Sequence, residues 1–445
     1  MFKNKKIFIF GLARSGYEVA KLLSNYNNEI LVVDKTDSDI EHIKELNKLN
    51  IKFIKTDTPE NLLDNSYNYV IKNPGIIKTH KCILKANELG IKVINEIEVA
   101  YDFIKDKTTI IGITGSNGKT TTTTMIYEIM KKANLNVHLA GNIGYPLSSI
   151  VNEVKKGDII VAEISDHQLL DTDRFKTNIS VLTNLSPVHI DFHGSYENYK
   201  NTKKKIFNHH TSNDLAILNL NNKDVLDLTK DIKSTKLYFS NNTKTDIYLE
   251  NNIIYYKNEP ILNTNDIKVK GIHNYENIMC MLGVIKEFNI SNDIIIDYLK
   301  EFKGVEHRIE FVRSINNISF YNDSKATNTE STIVALKSFN NNIILLLGGL
   351  DRGHSFEPLN PYLKNVKYIL TFGETKERIK KWAKEQNINC LVFYNLKEAT
   401  LKSFELAKKN DTVLLSPACA SWDQYKCMED RGNEFKSIVN NLNLK

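Results

Sequence analysis

Ten residues, Gly-Ile-Thr-Gly-Ser-Asn-Gly-Lys-Thr-Thr at 112–121, constrain the fold of this chain more than any other stretch. The apolar run Thr108–Ile113 leads into them and a helix-like segment, Thr120–Lys132, follows. A strand that ends in a glycine-rich loop and opens a helix aims backbone N–H groups and the positive helix end at an anion. Lys119 is placed to reach terminal phosphates and the Thr120 hydroxyl to hold Mg²⁺. The strict phosphate-loop spacing calls for glycine at 113, where Ile113 stands, so glycines 112, 115 and 118 make a variant loop. The alternative is an ordinary glycine turn before a helix. The stretch implies ATP binding through Gly115, Ser116, Asn117, Gly118, Lys119, Thr120 and Thr121.

A chain of 445 residues is too long for one core. Strand and helix patterns alternate through three blocks, which implies an α/β protein of open, mainly parallel sheets. In the first block, Lys6–Phe10 reads as a strand, Gly11–Gly16 as a turn, Tyr17–Asn25 as a helix and Glu29–Asp34 as a second strand. Tyr69–Lys72 then leads into the turn Asn73-Pro-Gly75, and Glu96–Lys105 suits a connector. The second block carries the buried-strand runs Asp158–Ile164 and Ile179–Leu185, a hairpin at Asp246–Tyr256, and helices at 274–288 and 292–302. The third begins near Val305, with strands at Ile343–Leu347, Tyr368–Phe372, Cys390–Phe393 and Thr412–Leu415.

Composition excludes several classes. The net charge of +6 comes from lysines offset throughout by acids, and no basic stretch is interleaved with stacking aromatics, so no nucleic-acid partner is expected. Five scattered cysteines without a C-x-x-C pair fit a reducing cytoplasm. No apolar run approaches membrane-spanning length, so no membrane association is expected.

Local chemistry narrows the candidates. Gly11 to Gly16 sits where a dinucleotide fingerprint would, and Asp34 ends the next strand as a ribose-binding acid would, but the spacing is G-x-x-x-x-G. A phosphate, a nicotinamide cofactor and a ligand-free turn all remain open there. Glu163 closes a buried run beside the phosphate loop, where a carboxylate needs a partner such as Mg²⁺. Ser165-Asp-His-Gln168 continues that polar end. His189, Asp191 and His193 share one face if the segment is extended, a possible ligand set. The lysine run 203–205 reads by itself as a solvated helix face. In the third block, polar loops follow three strands: Asn322–Asn328, Gly348–Gly353 and Ser416–Asp423. Together they would form a pocket suited to a small dicarboxylate or the far side of ATP.

Five strings resemble the Mur ligases of peptidoglycan synthesis, and the last two of them resemble specifically the D-glutamate-adding branch. They are Gly115-Ser-Asn-Gly-Lys-Thr-Thr121, Ala140-Gly-Asn-Ile-Gly144, Glu306-His-Arg-Ile-Glu310, Asp323-Ser-Lys-Ala-Thr-Asn328 and Leu415-Ser-Pro-Ala-Cys-Ala-Ser421. The resemblance implies a Rossmann-like domain at 1–96 for the UDP substrate, a P-loop ATPase-type domain at 97–304, and a Rossmann-like D-glutamate domain at 305–445. It implies ATP-dependent ligation of D-glutamate to UDP-N-acetylmuramoyl-L-alanine through an acyl phosphate, with ATP and two Mg²⁺ ions, by a cytoplasmic monomer serving cell-wall synthesis, shape and division. Ser15, Asp34 and Asn73 would contact UDP; Asn142, Ser165 and His189 would line the muramoyl-alanine and metal region. Lys119 would serve the ATP phosphates, and the metals would fall to Thr120, Glu163, His189 and Lys203, the last as a carbamate. Asn274, Arg308 and Asp323 would reach ATP, while Lys325, Thr327, Arg352 and Ser421 would hold or flank D-glutamate. The chain departs from the family's usual Ser-Ser-Phe-Gln at Ser165-Asp166-His167-Gln168, which adds negative charge beside the metals. It has Arg352 where some members have lysine, keeping the charge but altering its geometry. The rival readings are another Mur-type amino-acid ligase, a nucleotide-dependent protein that ligates nothing, and a nicotinamide dehydrogenase.

Overall fold

The apolar runs of the sequence become the inner strands of three sheets. The computed structural model describes residues 2–37 and 39–442. They group into two compact units, one of Met1–Leu262 with Glu276–Ile296, the other of Asn263–Tyr275 with Asp297–Lys445.

In the first unit, five strands, β1 (Lys6–Phe10), β2 (Glu29–Asp34), β3 (Lys52–Lys55), β4 (Tyr69–Lys72) and β5 (Lys92–Ile94), form a parallel sheet in the order β3-β2-β1-β4-β5. The order reverses between β1 and β4. Ligands of such sheets collect outside the carboxyl ends of the strands at that reversal, where Gly11 and Asn73 stand.

The second sheet has nine strands: β6 (Thr109–Thr114), β7 (Val137–Gly141), β8 (Ile159–Glu163), β9 (Ile179–Leu182), β10 (Leu215–Asn219), β11 (Thr235–Ser240), β12 (Ile247–Glu250), β13 (Ile253–Tyr256) and β14 (Glu259–Asn263). Their order is β14-β13-β12-β11-β10-β9-β6-β8-β7, with β7 to β12 parallel neighbours and β12–β13 the expected antiparallel hairpin. Because β6 lies between β8 and β9, the phosphate loop, Glu163 and the segment after Leu182 leave one sheet edge side by side.

Glu96–Lys105 links β5 to β6 as a packed helix. Glu96–Ile104 is a helix capped by Asn95, with Ile97, Val99, Ala100 and Ile104 buried. Its acids hid that role in the sequence. Glu98 is buried because its carboxylate accepts the backbone N–H groups of Asp173, Arg174 and Phe175 at 2.9–3.1 Å, which replaces the water it loses.

The second unit holds β15 (Glu310–Ile315), β16 (Ile318–Asn322), β17 (Ile343–Gly348), β18 (Val366–Phe372), β19 (Asn389–Val392) and β20 (Thr412–Leu415), in the order β15-β16-β20-β17-β18-β19. All pairs are parallel except β15–β16. On β17, Ile343, Leu345 and Leu347 enter one core and Ile344 and Leu346 the other, so both faces are covered. Truncating Leu345 to Ala would cost about 2–5 kcal/mol. The adjacency of β16, β20 and β17 places the three polar loops of this block on consecutive strands.

Candidate active site

The phosphate loop is shaped by the end of β9. Gly115 has φ +142° and Gly118 φ +82°, regions that L side chains rarely adopt, and a Cβ at 118 would meet Asn277 Oδ1 at 2.1 Å. Ser116 N–H donates to Asn184 O at 2.9 Å, Asn117 N–H to Asn184 Oδ1 at 2.9 Å, and Thr183 Oγ1 to Asn117 O at 2.6 Å. The helix Lys119–Lys132 starts directly after Gly118, with Thr120 and Thr121 buried in its first turn. Lys119 Nζ folds back over the loop and donates to Gly115 O and Ser116 O at 2.8 and 2.9 Å. Asn184 and Asn277 were not singled out as supports of this loop by sequence reasoning; both act by tertiary contact.

Glu163, 1% exposed, closes β8 beside this loop. Its Oε1 accepts from Asn142 Nδ2 at 2.6 Å, while Oε2 is buried without a hydrogen-bond partner. A buried carboxylate oxygen with no donor is costly, and a cation is the partner it fits.

Asp166 is the hub of the site. It opens the short helix Asp166–Leu170, whose N-cap Ser165 forms a capping box with Gln168. Oδ2 lies 3.0 Å from His189 Nδ1, 2.8 Å from His193 Nε2 and 3.3 Å from His167 Nδ1, and Oδ1 lies 3.2 Å from Lys203 Nζ. Burial alone would raise its pKa. The His189 hydrogen bond, the Lys203 charge and the remaining imidazoles outweigh that and hold the carboxyl far below the usual range. The segment at 189–193 is not extended: His189 has φ +53° and Ile190–His193 is one helical turn. That turn brings His189 and His193 to Asp166 and leaves Asp191 exposed.

Lys203 does not lie on a solvated helix face. It is fully buried near the end of the helix Tyr196–Lys204, bonded to Thr114 Oγ1 at 3.1 Å and placed over the Tyr199 ring. Burial, helped by the Lys119 charge and opposed by Asp166 and Glu163, pulls its amine down to about 7. Sequence pattern alone could not show this, because adjacent lysines on one helix turn face different surroundings.

Ser15, Asn73, Lys119, Asn142, Ser165 and His189 line one cavity of about 520 Å³. A second, of about 380 Å³, is lined by Asp34 and shares Asn73 and Gly75 with the first. Asp34 accepts Leu12 N–H at 2.7 Å, which fixes the turn after β1. Lys72, 1% exposed, donates to Ile76 O at 2.8 Å and pairs with Asp171 at 2.7 Å, anchoring the Asn73 loop to the end of the Asp166–Leu170 helix.

In the second unit, Asp323 accepts from Ser416 Oγ at 2.7 Å and from Ile309 N–H at 3.2 Å. Burial, against the pull of those bonds and of the Arg308 and Arg431 charges, pushes its carboxyl up to about 7. Leu350 N–H donates to Ala420 O at 2.9 Å and Gly348 N–H to Pro417 O at 3.0 Å, so the 349–353 and 416–423 loops are joined. Arg352 lies over the exposed Trp422 ring, 4.8 Å from its centroid. Buried Ser421 Oγ and Arg308 Nε have no hydrogen-bond partner. Thr327 N–H and Lys325 N–H donate to Lys325 O and His307 O, tying that loop down. Arg431, absent from the sequence candidates, organises these loops: fully buried, it donates to Ser324 Oγ, Ser324 O and Cys419 O at 2.8–3.0 Å. Asn274, in the first turn of the helix Ile272–Ile285, donates to Lys270 O at 2.8 Å.

The Mur ligase middle domain matches residues 113–292, and the Mur ligase glutamate ligase domain matches residues 307–419. The UDP-N-acetylmuramoylalanine–D-glutamate ligase of Staphylococcus aureus strain MW2 is 41% identical over 435 residues, covering 97% of this chain and 96% of that protein. Among solved structures, the UDP-N-acetylmuramate–alanine ligase of Thermotoga maritima aligns with a TM-score of 0.61 at 19% identity, over 98% of this chain and 99% of that one. The MurF ligase of Thermotoga maritima in complex with ADP aligns with a TM-score of 0.57 at 17% identity, over 98% and 96%. These two share the fold. The relative that is 41% identical along nearly its full length, together with the two domain matches, shows that this chain belongs to the Mur ligase family.

Proposed function

We propose that this protein ligates D-glutamate to UDP-N-acetylmuramoyl-L-alanine, driven by ATP, in the synthesis of peptidoglycan precursors. The observation that carries the substrate pair is the full-length relation to a D-glutamate ligase. The site supports the chemistry. A free carboxylate is a poor acyl donor because oxide would have to leave. The alanyl carboxylate oxygen therefore attacks the γ-phosphorus of ATP, ADP departs, and an acyl phosphate forms. The deprotonated D-glutamate amine attacks its carbonyl carbon, and the tetrahedral intermediate collapses as its nitrogen gives up a proton and phosphate leaves with the C–O bonding pair.

Lys119 and the backbone N–H groups that open the Lys119–Lys132 helix hold the ATP phosphates. Thr120, Glu163, His189 and Lys203 are the residues to hold Mg²⁺, and the partnerless Glu163 Oε2 fits that role. Mg²⁺ supplies charge neutralisation between crowded phosphate oxygens. Lys203, with its amine near 7, presents at neutral pH the uncharged form that adds CO₂ to give a carbamate. That carbamate would set a second anion near Asp166, which Lys119 and the bound cations would offset. Ser15, Asp34 and Asn73 take the UDP moiety along the two joined cavities, and Asn142 and Ser165 take the muramoyl-alanine end. Asn274, Arg308 and Asp323 serve ATP. Lys325, Thr327, Arg352 and Ser421 serve D-glutamate, and the unpaired Ser421 hydroxyl suits a carboxylate.

We assign residues 1–96 to the UDP substrate, 97–304 to ATP and 305–445 to D-glutamate. We place the enzyme as a monomer in the cytoplasm, where nucleotide-linked precursors and its five unpaired cysteines belong. No helix among the described residues is long and apolar enough to cross a membrane. The test is phosphate release from ATP and Mg²⁺ with UDP-N-acetylmuramoyl-L-alanine, comparing D-glutamate with L-glutamate, L-alanine and L-lysine. Release only with D-glutamate, and a product heavier by one glutamyl residue, is expected. Release with another amino acid changes the substrate, and release without any substrate removes the ligase reading.

A further inference from the structure

We propose that Asp166, His167 and His189 form a divalent transition-metal site in this chain, one that takes an ion of the Co²⁺–Zn²⁺ class in preference to Mg²⁺. The proposal goes beyond the ligase reading and shares only His189 with the Mg²⁺ ligands assigned there.

One donor atom from each of the three side chains lies within 4.8 Å of the other two. Asp166 Oδ2 stands 3.0 Å from His189 Nδ1 and 3.3 Å from His167 Nδ1. Ligands bound to one ion at ~2.1 Å stand ~3.0–3.4 Å apart along the edges of an octahedron or tetrahedron. The two edges that meet at Asp166 therefore already have the spacing of a coordination shell. The His167 and His189 rings approach with centroids 5.1 Å apart at 64°, so they converge without stacking. All three residues line the 520 Å³ cavity that Lys119 also lines, so an ion has a way in and its remaining positions face open space.

The supporting shell is built. His193, its side chain 1% exposed, lies 2.8 Å from the same Oδ2, and Lys203 Nζ lies 3.2 Å from Oδ1. The Ser165–Gln168 capping box fixes the backbone that carries Asp166 and His167. Such contacts orient a ligand before the metal arrives. On binding, the imidazole nitrogens facing Asp166 give their lone pairs to the ion and any proton there is released.

Donor chemistry sets the preference. Mg²⁺ favours oxygen ligands and sheds water reluctantly, whereas imidazole nitrogen suits the later first-row ions. Two imidazoles and one carboxylate oxygen form a nitrogen-rich set.

The test uses the full chain freed of metal, without nucleotide or UDP substrate, titrated with Co²⁺ and followed by its visible d–d absorption. We expect saturation at one equivalent and bands that persist in ~100-fold excess of Mg²⁺. H167F should bind Co²⁺ at least ~10-fold more weakly, while D191N, a change at an exposed acid outside the site, titrates like the parent. Absence of visible bands, their loss under excess Mg²⁺, or an H167F titration matching the parent would each overturn the site. The Mg²⁺ competition needs no variant, so a folding defect in H167F leaves the proposal falsifiable. Ligation is assayed separately with Mg²⁺ alone. A chain that ligates but binds no Co²⁺ loses only this site, and one that binds Co²⁺ but does not ligate loses only the ligase reading.

Discussion

In each of the two units a buried side chain at the candidate site has its pKa shifted to about 7: Lys203 in the first, moved down from 10.5, and Asp323 in the second, moved up from 3.8. The leading cause is the same, burial, which penalises whichever form carries charge. Their surroundings differ. Lys203 sits among groups that ionise: Asp166 at 3.2 Å, with Lys119 and Glu163 close enough to act on its charge. Asp323 sits among groups of fixed protonation: the Ser416 hydroxyl, the Ile309 N–H and the Arg308 and Arg431 cations. Equal shifts thus mark different work. The first environment can change charge when phosphate, metal or CO₂ arrives, while the second fixes the geometry of three loops and changes little.

The contrast breaks first at Lys119. K119A should lower ligation by about 10²–10³-fold with the chain still folded, because Lys119 is the phosphate loop's own cation. Near-normal turnover, measured as D-glutamate-dependent phosphate release alongside far-ultraviolet circular dichroism, would remove the phosphate role of the loop. In the second unit the matching break is in stability. R431M deletes three hydrogen bonds and leaves the Ser324 and Cys419 carbonyls without their donor, a loss of about 3 kcal/mol. Both tryptophans, Trp382 and Trp422, lie in this unit, so denaturation followed by tryptophan fluorescence reads it alone. An unchanged urea midpoint would show that the loops stand without Arg431.

K203A sharpens the comparison from the other side. Ligation should fall about 10–100-fold and recover in part with added formate or acetate, which would replace the carbamate oxygens. Full activity in the unsupplemented variant would refute a carbamate. Activity lost without rescue would make Lys203 only the partner of Asp166.

How legible each region was follows from sequence separation. The phosphate loop is local: ten consecutive residues state the strand end, the turn and the helix start, and β6 and its helix fall within a residue of the positions read from sequence. The three loops of the second unit were also legible, since each follows an apolar run. Asp166 was visible as part of a polar strand end and as a departure from a pattern, but not as a hub, because its partners His189 and Lys203 lie 23 and 37 residues away. Arg431 lies 107 residues from Ser324, and no local signal marks it. The His189–His193 segment shares one face only if it is extended, and sequence left that condition open; contacts to Asp166 and the positive φ of His189 close a helical turn instead. Charge on a helix face misled the local reading at Lys203, where tertiary partners replace the solvent that the residue type suggests.

The smallest effect is the pH dependence carried by Asp323. In the unfolded chain its carboxyl releases its proton near 3.8, while in the folded unit it holds the proton to about 7. Between those values the native state binds more protons than the unfolded state, so this group's contribution to stability is greatest in acid. It declines as pH rises through that window and is constant above it. The slope cannot exceed about 1.4 kcal/mol per pH unit, the value for one proton. D323N keeps the shape and removes the titration: its carbonyl can still accept from Ile309 N–H, and the Ser416 hydroxyl can turn to accept from the new amide. The variant should therefore lose this decline between pH 4 and 7 while the parent keeps it, read from urea midpoints by tryptophan fluorescence. Lys203 works with the opposite sign. Its native amine gives up the proton near 7 and its unfolded amine near 10.5, so it makes the first unit more stable as pH rises across that range. A D323N variant with the parent's slope would show that Asp323 is ionised in the fold, and the contrast between the two buried groups would fail.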